Sequence, residues 1–191
     1  IATYGYCLPN KGFKELILAI DILRKKNIRI KLDIFSAIYN DKYLYVFEEL
    51  VELISKLQLN KYINVNKKYM TDNQSLNRLS KYDALVFPYQ DSNESSSASV
   101  RHGLSTKKPV LVSPSSIFND VQDLVIPLGG FTPEKIAEGI TYWISEKTKN
   151  KNILQEQEKI RNQRIYRFKF SNLAKRLLNI VHSLEINNIN N

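Results

Sequence analysis

The sequence predicts an α/β fold: a Rossmann-like, doubly wound parallel sheet of about six strands, with helices on both faces and terminal helices at the carboxyl end. Short apolar segments alternate along the chain with segments of helical spacing, which is typical of parallel βαβ units. The length of 191 residues, with 43% hydrophobic and 25% charged residues, suits one globular domain with a substantial core. One cysteine and two separated histidines exclude an internal disulfide and argue against a zinc site.

The first half of the chain supplies three strands and three helices. The predicted strands cover residues 1–6, 28–35 and 63–65, and the predicted helices cover residues 13–26, 43–57 and 72–80. In the first helix, apolar residues recur at i, i+3, i+4 and i+7 and define one face: Leu16, Ala19, Ile20 and Leu23. Asp72, at the start of the third helix, is the residue expected to cap it.

The segment 83–112 predicts a parallel crossover unit. A short apolar strand, 84–87, ends at Pro88, and a polar loop, a helix-compatible segment and a second apolar strand, 110–112, follow. Glu94 and a run of serines, Ser95, Ser96 and Ser97, lie at the expected start of that helix. In such sheets the loop after the first strand lines the ligand site, so this loop is the best candidate site in the chain.

The remaining elements complete the sheet and end the chain in helix. A helical turn is expected at 117–122, a strand at 124–127, a helix at 134–147 with Thr132 as its N-cap, and further helix at 151–184. The last segment has one apolar face, formed by Leu173, Leu177, Ile180, Val181 and Leu184. We therefore predict a single domain, residues 1–186, followed by a disordered tail, residues 187–191.

Two loops carry residues that could bind an anion. The first strand-to-helix turn contains Lys11 and Gly12, where the glycine allows close backbone approach and the helix amino terminus carries about half a positive charge. The turn matches neither a dinucleotide-binding GxGxxG nor a P-loop, and its alternative interpretation is a purely structural turn. In the second loop, backbone amides and hydroxyls at residues 95–97 form a similar candidate cradle.

The charged residues near the second loop have alternative roles. Glu94 either complements the helix dipole or accepts hydrogen bonds from the hydroxyl groups of a polar ligand such as a sugar. Arg101 is either a salt-bridge partner or a phosphate contact. Because loops after different strands open on one edge of the sheet, we expect Lys11 and Glu94 to converge.

Taken together, these features resemble the carboxy-terminal, nucleotide-sugar-binding domain of retaining GT-B fold glycosyltransferases of the group 1 type. The resemblance covers about residues 4–184 and depends on the order of four motifs. These are Gly5 with Lys11-Gly12, the strand YDALVFP at 82–88, Glu94 followed fifteen residues later by Pro109, and the terminal segment from Arg164.

The resemblance implies a role for each matching residue. Lys11, with Gly12, would bind the donor diphosphate, Glu94 would hold hydroxyls of the transferred sugar, and amides near Ser96 and Ser97 would receive the phosphates. The sequence departs from the family at two positions. Tyr6 replaces an arginine after the first glycine, and His102 replaces the second carboxylate that contacts the ribose, a loss for which the adjacent Arg101 could compensate.

The resemblance also implies the reaction and the partners. It implies a hexosyl-type, retaining transfer from a nucleotide-sugar to an acceptor, in cell-surface polysaccharide or glycan synthesis, by a bacterial, cytoplasmic enzyme that requires no metal or other cofactor. The acceptor site would lie in an amino-terminal domain missing from this chain, so the isolated domain would bind donor but barely turn over. The alternative from another class is a non-catalytic interaction or scaffold module that retains the fold.

The charge of the chain leaves one further question open. Residues 146–176 contain ten Lys or Arg and three Asp or Glu, and so carry +7 of the net charge of +9. No nucleic-acid-binding motif accompanies this charge, so nucleic acid is not an expected partner. No apolar run approaches the roughly 20 residues of a membrane span. The basic segment could dock peripherally on an anionic membrane surface, or pack against the missing domain with solvated lysines.

Overall fold

The computed structural model of the chain describes residues 1–90, 94–149 and 151–189. Six parallel strands form one sheet in the order β3-β2-β1-β4-β5-β6. The strands are β1 (Ala2–Tyr6), β2 (Leu32–Ala37), β3 (Ile63–Asn66), β4 (Leu85–Phe87), β5 (Val110–Val112) and β6 (Ile126–Pro127). The helices are α1 (Phe13–Lys25), α2 (Leu44–Lys56), α3 (Asp72–Leu79), α4 (Ala98–Ser105), α5 (Pro133–Lys149), α6 (Lys151–Arg167) and α7 (Phe170–Ile189). The predicted Rossmann-like fold is confirmed.

The strand order reverses between β1 and β4, and the two strands separate there. β1 pairs with β2 along its whole length, from Ala2 opposite Asp33 to Tyr6 opposite Ala37. Against β4 it has only one paired position, Ala2 opposite Leu85, at the amino end. The carboxyl ends of β1 and β4 are therefore not joined by ladder hydrogen bonds, and a crevice opens at the point where doubly wound sheets bind ligands.

Burial in the core explains why the central strands are short apolar segments in the sequence. Every residue of β4 and β5 is buried, as expected for parallel strands covered by helices on both faces. Helix α1 packs against α5 and α2, and the face predicted for it is the one buried: Leu16, Ala19, Ile20 and Leu23 are each 0% exposed.

Several predicted boundaries were wrong because a strand or helix end depends on its partners. β2 begins at Leu32 rather than at residue 28, because Leu32 pairs with Ile63, the first residue of β3. The last strand contains only Ile126 and Pro127. The preceding helical turn is a 3₁₀ segment, Ser116–Leu124. Helix α5 begins at Pro133, and the Thr132 hydroxyl accepts a hydrogen bond from the Lys135 amide at 3.4 Å, which confirms the predicted N-cap.

The N-cap of α3 is Thr71 and not Asp72. The Thr71 hydroxyl accepts from the Gln74 amide at 3.4 Å, and the Gln74 side-chain oxygen accepts from the Thr71 amide at 3.0 Å. This reciprocal pair is a capping box, which satisfies two amides at once. Asp72 is already the first helical residue, where its charge complements the helix dipole.

The chain divides into two compact units, Ile1–Lys151 and Asn152–Asn191. The first contains the sheet and α1 to α5. In the second, the predicted continuous helix is interrupted at Phe168 and Lys169, between α6 and α7. The apolar face of α7 is exposed in this unit: Leu173, Leu177, Ile180, Val181 and Leu184 are between 38% and 62% exposed.

Of the two predictions about the chain end, the structure corrects the one about the tail and leaves the one about the domain untested. Helix α7 continues to Ile189, so residues 187–189 of the predicted disordered tail are helical, while residues 190–191 lie outside the described part. The single domain through residue 186 stays a prediction. Within residues 1–90, 94–149 and 151–189, no helix combines the length and the hydrophobicity of a membrane span.

Candidate functional site

The candidate site lies at the crevice between β1 and β4, where the loops after these strands meet. The loop after β1 runs from Cys7 to Gly12, and the described part of the loop after β4 covers residues 88–90 and 94–97. The Gln90 amide donates to the Asn10 carbonyl at 2.8 Å, which links the two loops directly. Each loop leads into a helix whose amino terminus points back to the crevice.

Gly12 allows this close contact. Its φ of +71° is left-handed, and a Cβ atom placed on it would lie 1.8 Å from the Pro88 carbonyl oxygen. Only a residue without a side chain fits there. Gly12 therefore has a role that its sequence position only suggested: it brings Lys11 against the loop that carries Glu94.

The structure brings Lys11 and Glu94 together, as the strand order predicted. The Lys11 Nζ atom lies 3.5 Å from Glu94 Oε2, across 83 residues of sequence. The same Nζ atom lies 4.1 Å from the centroid of the Tyr89 ring. The Lys11 side chain is only 14% exposed, whereas the Glu94 side chain is 56% exposed. The result is a positive charge held over an aromatic face and a carboxylate that projects toward solvent.

The serine run lies just before helix α4 rather than inside it. The helix begins at Ala98 and Ser97 is its N-cap, with the Ser97 hydroxyl accepting from the Val100 amide at 3.3 Å. The amides that have no acceptor within the helix are therefore those of its first residues, Ala98 and Ser99. Ser95 and Ser96 are exposed and Ser97 is buried. A phosphate-binding role for Ser95, Ser96 and Ser97 stays a prediction.

Arg101 makes a structural contact. Its Nη1 atom donates to the Ser97 carbonyl at 3.3 Å, and its Nη2 atom forms an ion pair with Asp120. Of the two interpretations of Arg101, the salt bridge is the one present in this structure. A contact to phosphate would require this exposed ion pair to open.

His102 lies on a cavity of about 210 Å³ at the carboxyl end of β1. Its ring stacks on Tyr4 with centroids 5.1 Å apart, and its Nε2 atom lies 2.7 Å from the Ser75 hydroxyl. Burial lowers the pKa of His102, and the Asp72 carboxylate opposes that shift less strongly. Burial therefore disfavours the charged form of the ring. The cavity continues toward Gly5 and Ser99, next to the amino terminus of α4.

A second cavity, of about 480 Å³, lies between α1 and α2 and is also lined by the loop after β1, including Lys11 and Gly12, and by Gln90. It is lined by residues of both charges, including Lys14, Glu15, Glu49 and Glu52. Among the residues that the structure describes, no group of three or more His, Cys, Asp or Glu side chains could hold a metal ion.

Sequence reasoning missed three side chains that shape the site. Tyr89 is 2% exposed, supports Lys11 and accepts a hydrogen bond from Ser97 at 3.4 Å. Gln90 and Ser75 link the site to neighbouring segments. The position of Tyr89 and Gln90, directly after the strand that precedes the candidate loop, was the available signal. Nothing in the sequence pointed to Ser75.

Solved structures of glycosyltransferases share this fold. A glycosyltransferase from Rickettsia africae superposes with a TM-score of 0.75 at 17% identity, over 94% of this chain and 46% of that chain. HepE from Anabaena in complex with UDP gives 0.73 at 17% identity, over 95% and 48%. The carboxy-terminal domain of the group 1 family glycosyl transferase LpcC from Francisella tularensis gives 0.70 at 16% identity, over 88% and 86%.

These likenesses confirm the predicted fold, that of a carboxy-terminal GT-B domain. The chain spans about half the length of the first two structures and most of the third, which is itself an isolated carboxy-terminal domain. No protein-family model matches the sequence, and no curated protein matches it significantly.

Proposed function

We propose that this chain is the donor-binding domain of a retaining, hexosyl-type glycosyltransferase. The observation that carries the proposal is the Lys11–Glu94 pair at the strand-order reversal, 3.5 Å apart on loops from two different strands. The fold likeness supports it, because the solved structures of the same fold include HepE with UDP and with UDP-glucose. The nucleotide-sugar would occupy the crevice between β1 and β4.

The chemistry follows from where charge develops. In the transfer, the bond between the anomeric carbon and the diphosphate oxygen breaks and its electron pair stays on the diphosphate, the acceptor oxygen bonds to that carbon, and a departing phosphate oxygen takes up the acceptor hydroxyl proton. Negative charge grows on the departing nucleoside diphosphate. Lys11 and the first amides of α4 are fixed in place before reaction, so they would stabilise this charge more in the transition state than in the ground state.

Glu94 would act on the sugar rather than on the phosphates. A carboxylate repels a diphosphate but accepts hydrogen bonds from hydroxyl groups. Its side chain is 56% exposed beside Lys11, so it can bind a sugar that enters from solvent while Lys11 contacts the adjacent phosphate.

The exposed face of α7 supports a missing partner domain. Five aliphatic residues on this face are between 38% and 62% exposed, and large exposed apolar patches mark interaction sites. We assign this face to the amino-terminal, acceptor-binding domain of a longer protein. Docking on an anionic membrane is the alternative, favoured only by the adjacent basic residues. A bacterial origin, a cytoplasmic location, a role in polysaccharide synthesis and independence from metal or other cofactors stay predictions.

Binding of sugar nucleotides tests the proposed function. In calorimetry against UDP-, GDP-, dTDP- and ADP-sugars, we expect at least one to bind. The Glu94→Ala variant should bind that sugar nucleotide roughly tenfold more weakly, while its affinity for the bare nucleotide should stay within about twofold of the wild type. The matched control for Lys11→Ala is Lys31→Ala, because Lys31 is an exposed lysine at the amino end of β2, away from the carboxyl ends of the strands where the candidate site lies. Lys11→Ala should weaken both ligands. Equal losses for both ligands in Glu94→Ala would reduce Glu94 to a structural residue.

The scaffold alternative needs a different experiment. Joined to an amino-terminal domain and supplied with acceptor, the chain should release nucleoside diphosphate, and Lys11→Ala should abolish that release. If the joined protein binds donor but releases nothing with any acceptor tested, the non-catalytic alternative is favoured.

Co-sedimentation with liposomes tests the membrane alternative. Co-sedimentation that does not depend on anionic lipid would remove it.

A further inference from the structure

The Tyr89 side chain contacts both of the groups that are proposed to bind the diphosphate. It is 2% exposed and comes directly after Pro88, in the loop after β4. The centroid of its ring lies 4.1 Å from Lys11 Nζ. Its hydroxyl oxygen accepts from the Ser97 hydroxyl at 3.4 Å, and Ser97 is the N-cap of α4. One rigid aromatic side chain therefore connects the Lys11 loop with the start of α4.

The Lys11 contact differs from the other lysine–ring contacts of the described residues in burial and distance. The Lys11 side chain is only 14% exposed. The other lysines placed over aromatic rings are exposed and lie 4.8–5.4 Å from the ring centroids: Lys42, Lys67, Lys147 and Lys169. Because a cation–π contact stabilises more when the cation is shielded from water, the Tyr89 ring holds Lys11 more firmly than the other rings hold their lysines.

The Tyr89 ring is itself fixed by packing. It contacts Phe87 edge-on, with centroids 6.2 Å apart, and Phe118 at a tilt, with centroids 5.3 Å apart. Both phenylalanines are buried. The Tyr89 carbonyl accepts from the Ser113 hydroxyl, which connects the loop after β4 to the segment after β5. The flexible Lys11 side chain is therefore held against a ring that has one position.

The hydroxyl of Tyr89 makes the weaker of its two contacts. The Ser97 oxygen accepts from the Val100 amide at 3.3 Å and gives its single proton to the Tyr89 oxygen, at the long end of hydrogen-bond distances. A Cβ atom placed on Gly5 would lie 3.1 Å from Ser99 Oγ and 3.7 Å from Tyr89 Oη. The hydroxyl therefore lies beside the first turn of α4 and the carboxyl end of β1.

We propose that Tyr89 is a positioning residue whose ring holds the Lys11 ammonium and whose hydroxyl contacts the N-cap of α4, so that both diphosphate-binding groups are in place before the ligand arrives. This inference rests on the proposed function. Because the ring restricts a flexible side chain in the ligand-free protein, less conformational entropy is lost when the diphosphate binds. Tyr89 then acts on the phosphates through Lys11, and not on the sugar contact of Glu94.

The contact between the ring and the ammonium is tested without any ligand. In NMR of protein with carbon-13-labelled lysine, the Hε signals of Lys11, assigned by their absence in Lys11→Ala, should be shifted upfield by the ring current of Tyr89. Tyr89→Phe should keep this shift and Tyr89→Leu should remove it. The matched control is Phe118→Leu, which removes a ring from the same buried cluster and should keep the shift. Wild-type Lys11 signals at the ordinary lysine position would overturn the inference, whether or not Tyr89→Leu folds.

Binding of UDP, GDP, dTDP and ADP separates a positioning residue from a packing residue. For the nucleoside diphosphate that binds, Tyr89→Leu should weaken the affinity roughly five- to tenfold and Tyr89→Phe by less than about threefold. Phe118→Leu should leave it within about twofold. The corresponding sugar nucleotide should lose as much affinity in Tyr89→Leu as the bare nucleotide does, which is the pattern expected of Lys11→Ala and not of Glu94→Ala.

A double-mutant cycle shows whether Tyr89 acts through Lys11. In the Lys11→Ala background, Tyr89→Leu should cost no more affinity than Tyr89→Phe, because the ring then has no ammonium to hold. A loss in Tyr89→Leu that stays several times that of Tyr89→Phe in this background would overturn the inference and make Tyr89 a packing residue. If none of the four nucleotides binds, the proposed function fails and the diphosphate role of Tyr89 fails with it, whereas the Lys11 signals still decide whether the ring holds the ammonium.

Discussion

At the residue scale, the site depends on how closely two loops approach each other at Gly12. Gly12 has a left-handed φ of +71°, and the Pro88 carbonyl oxygen lies 1.8 Å from the place that a Cβ atom would occupy. Either would disfavour a side chain, and together they leave no room for relaxation that keeps both loops in place. The position of Lys11 over the Tyr89 ring therefore depends on the next residue, Gly12.

Gly12→Ala should lower the free energy of unfolding by more than about 2 kcal/mol, because a left-handed alanine costs roughly 1–2 kcal/mol before the clash is added. Denaturant unfolding measures this. The matched control is Gly129→Ala, where the nearest atom to a new Cβ is an ordinary 3.6 Å away, and we expect a change within about 0.5 kcal/mol. Equal effects in both variants would contradict the close approach.

Single residues were predictable where their position in the chain order was informative. Lys11 and Glu94 each follow a strand by a few residues, and parallel strands bring such loops to one edge, so their meeting was predicted. Asp120, the partner of Arg101, and Ser75, the partner of His102, were not. These partners lie 19 and 27 residues away in the sequence, and their choice depends on side-chain packing that no local pattern encodes.

At the scale of elements, helix starts decide where backbone amides are presented to the crevice. Helix α4 begins at Ala98, after the serine run. Ser97 serves as its cap instead of contributing a helical amide. Helix α3, which carries Ser75, is set by the Thr71–Gln74 capping box. The ends of these two helices therefore determine the geometry on both sides of His102.

Thr71→Ala should lower the free energy of unfolding by about 1 kcal/mol, because the amide of Gln74 loses its acceptor. Thr71→Ser keeps the hydroxyl and should stay within about 0.5 kcal/mol of the wild type. Thermal or urea unfolding of the variants measures both. A larger loss in Asp72→Ala than in Thr71→Ala would return the capping role to Asp72.

Element types were predictable and element ends less so. The helical period of α1 and the apolar runs of β4 and β5 are local signals, and the structure confirms them. The start of β2 at Leu32 is fixed by Ile63 on a neighbouring strand, and Thr71 competes with Asp72 for one capping position. Both outcomes depend on contacts that a single segment does not contain.

At the scale of the whole molecule, the strand order locates the candidate ligand site, and the exposed face of α7 is a separate candidate interaction surface. The order β3-β2-β1-β4-β5-β6 creates one crevice and places both candidate loops beside it. The apolar face of α7 was predictable from its helical spacing, and the structure leaves that face exposed. The chain spans 46% and 48% of the first two solved structures of this fold, which agrees with a partner domain in a longer protein.

The most direct measurement is a crystal structure of the chain with a bound nucleotide-sugar from the binding panel. We predict that the diphosphate lies against Lys11 Nζ and the amides of Ala98 and Ser99, with a sugar hydroxyl on Glu94 and the nucleoside in the 210 Å³ cavity beside His102. A nucleotide-sugar bound without contact to Lys11 and Glu94, in the crevice or elsewhere, would contradict the proposed function of this site.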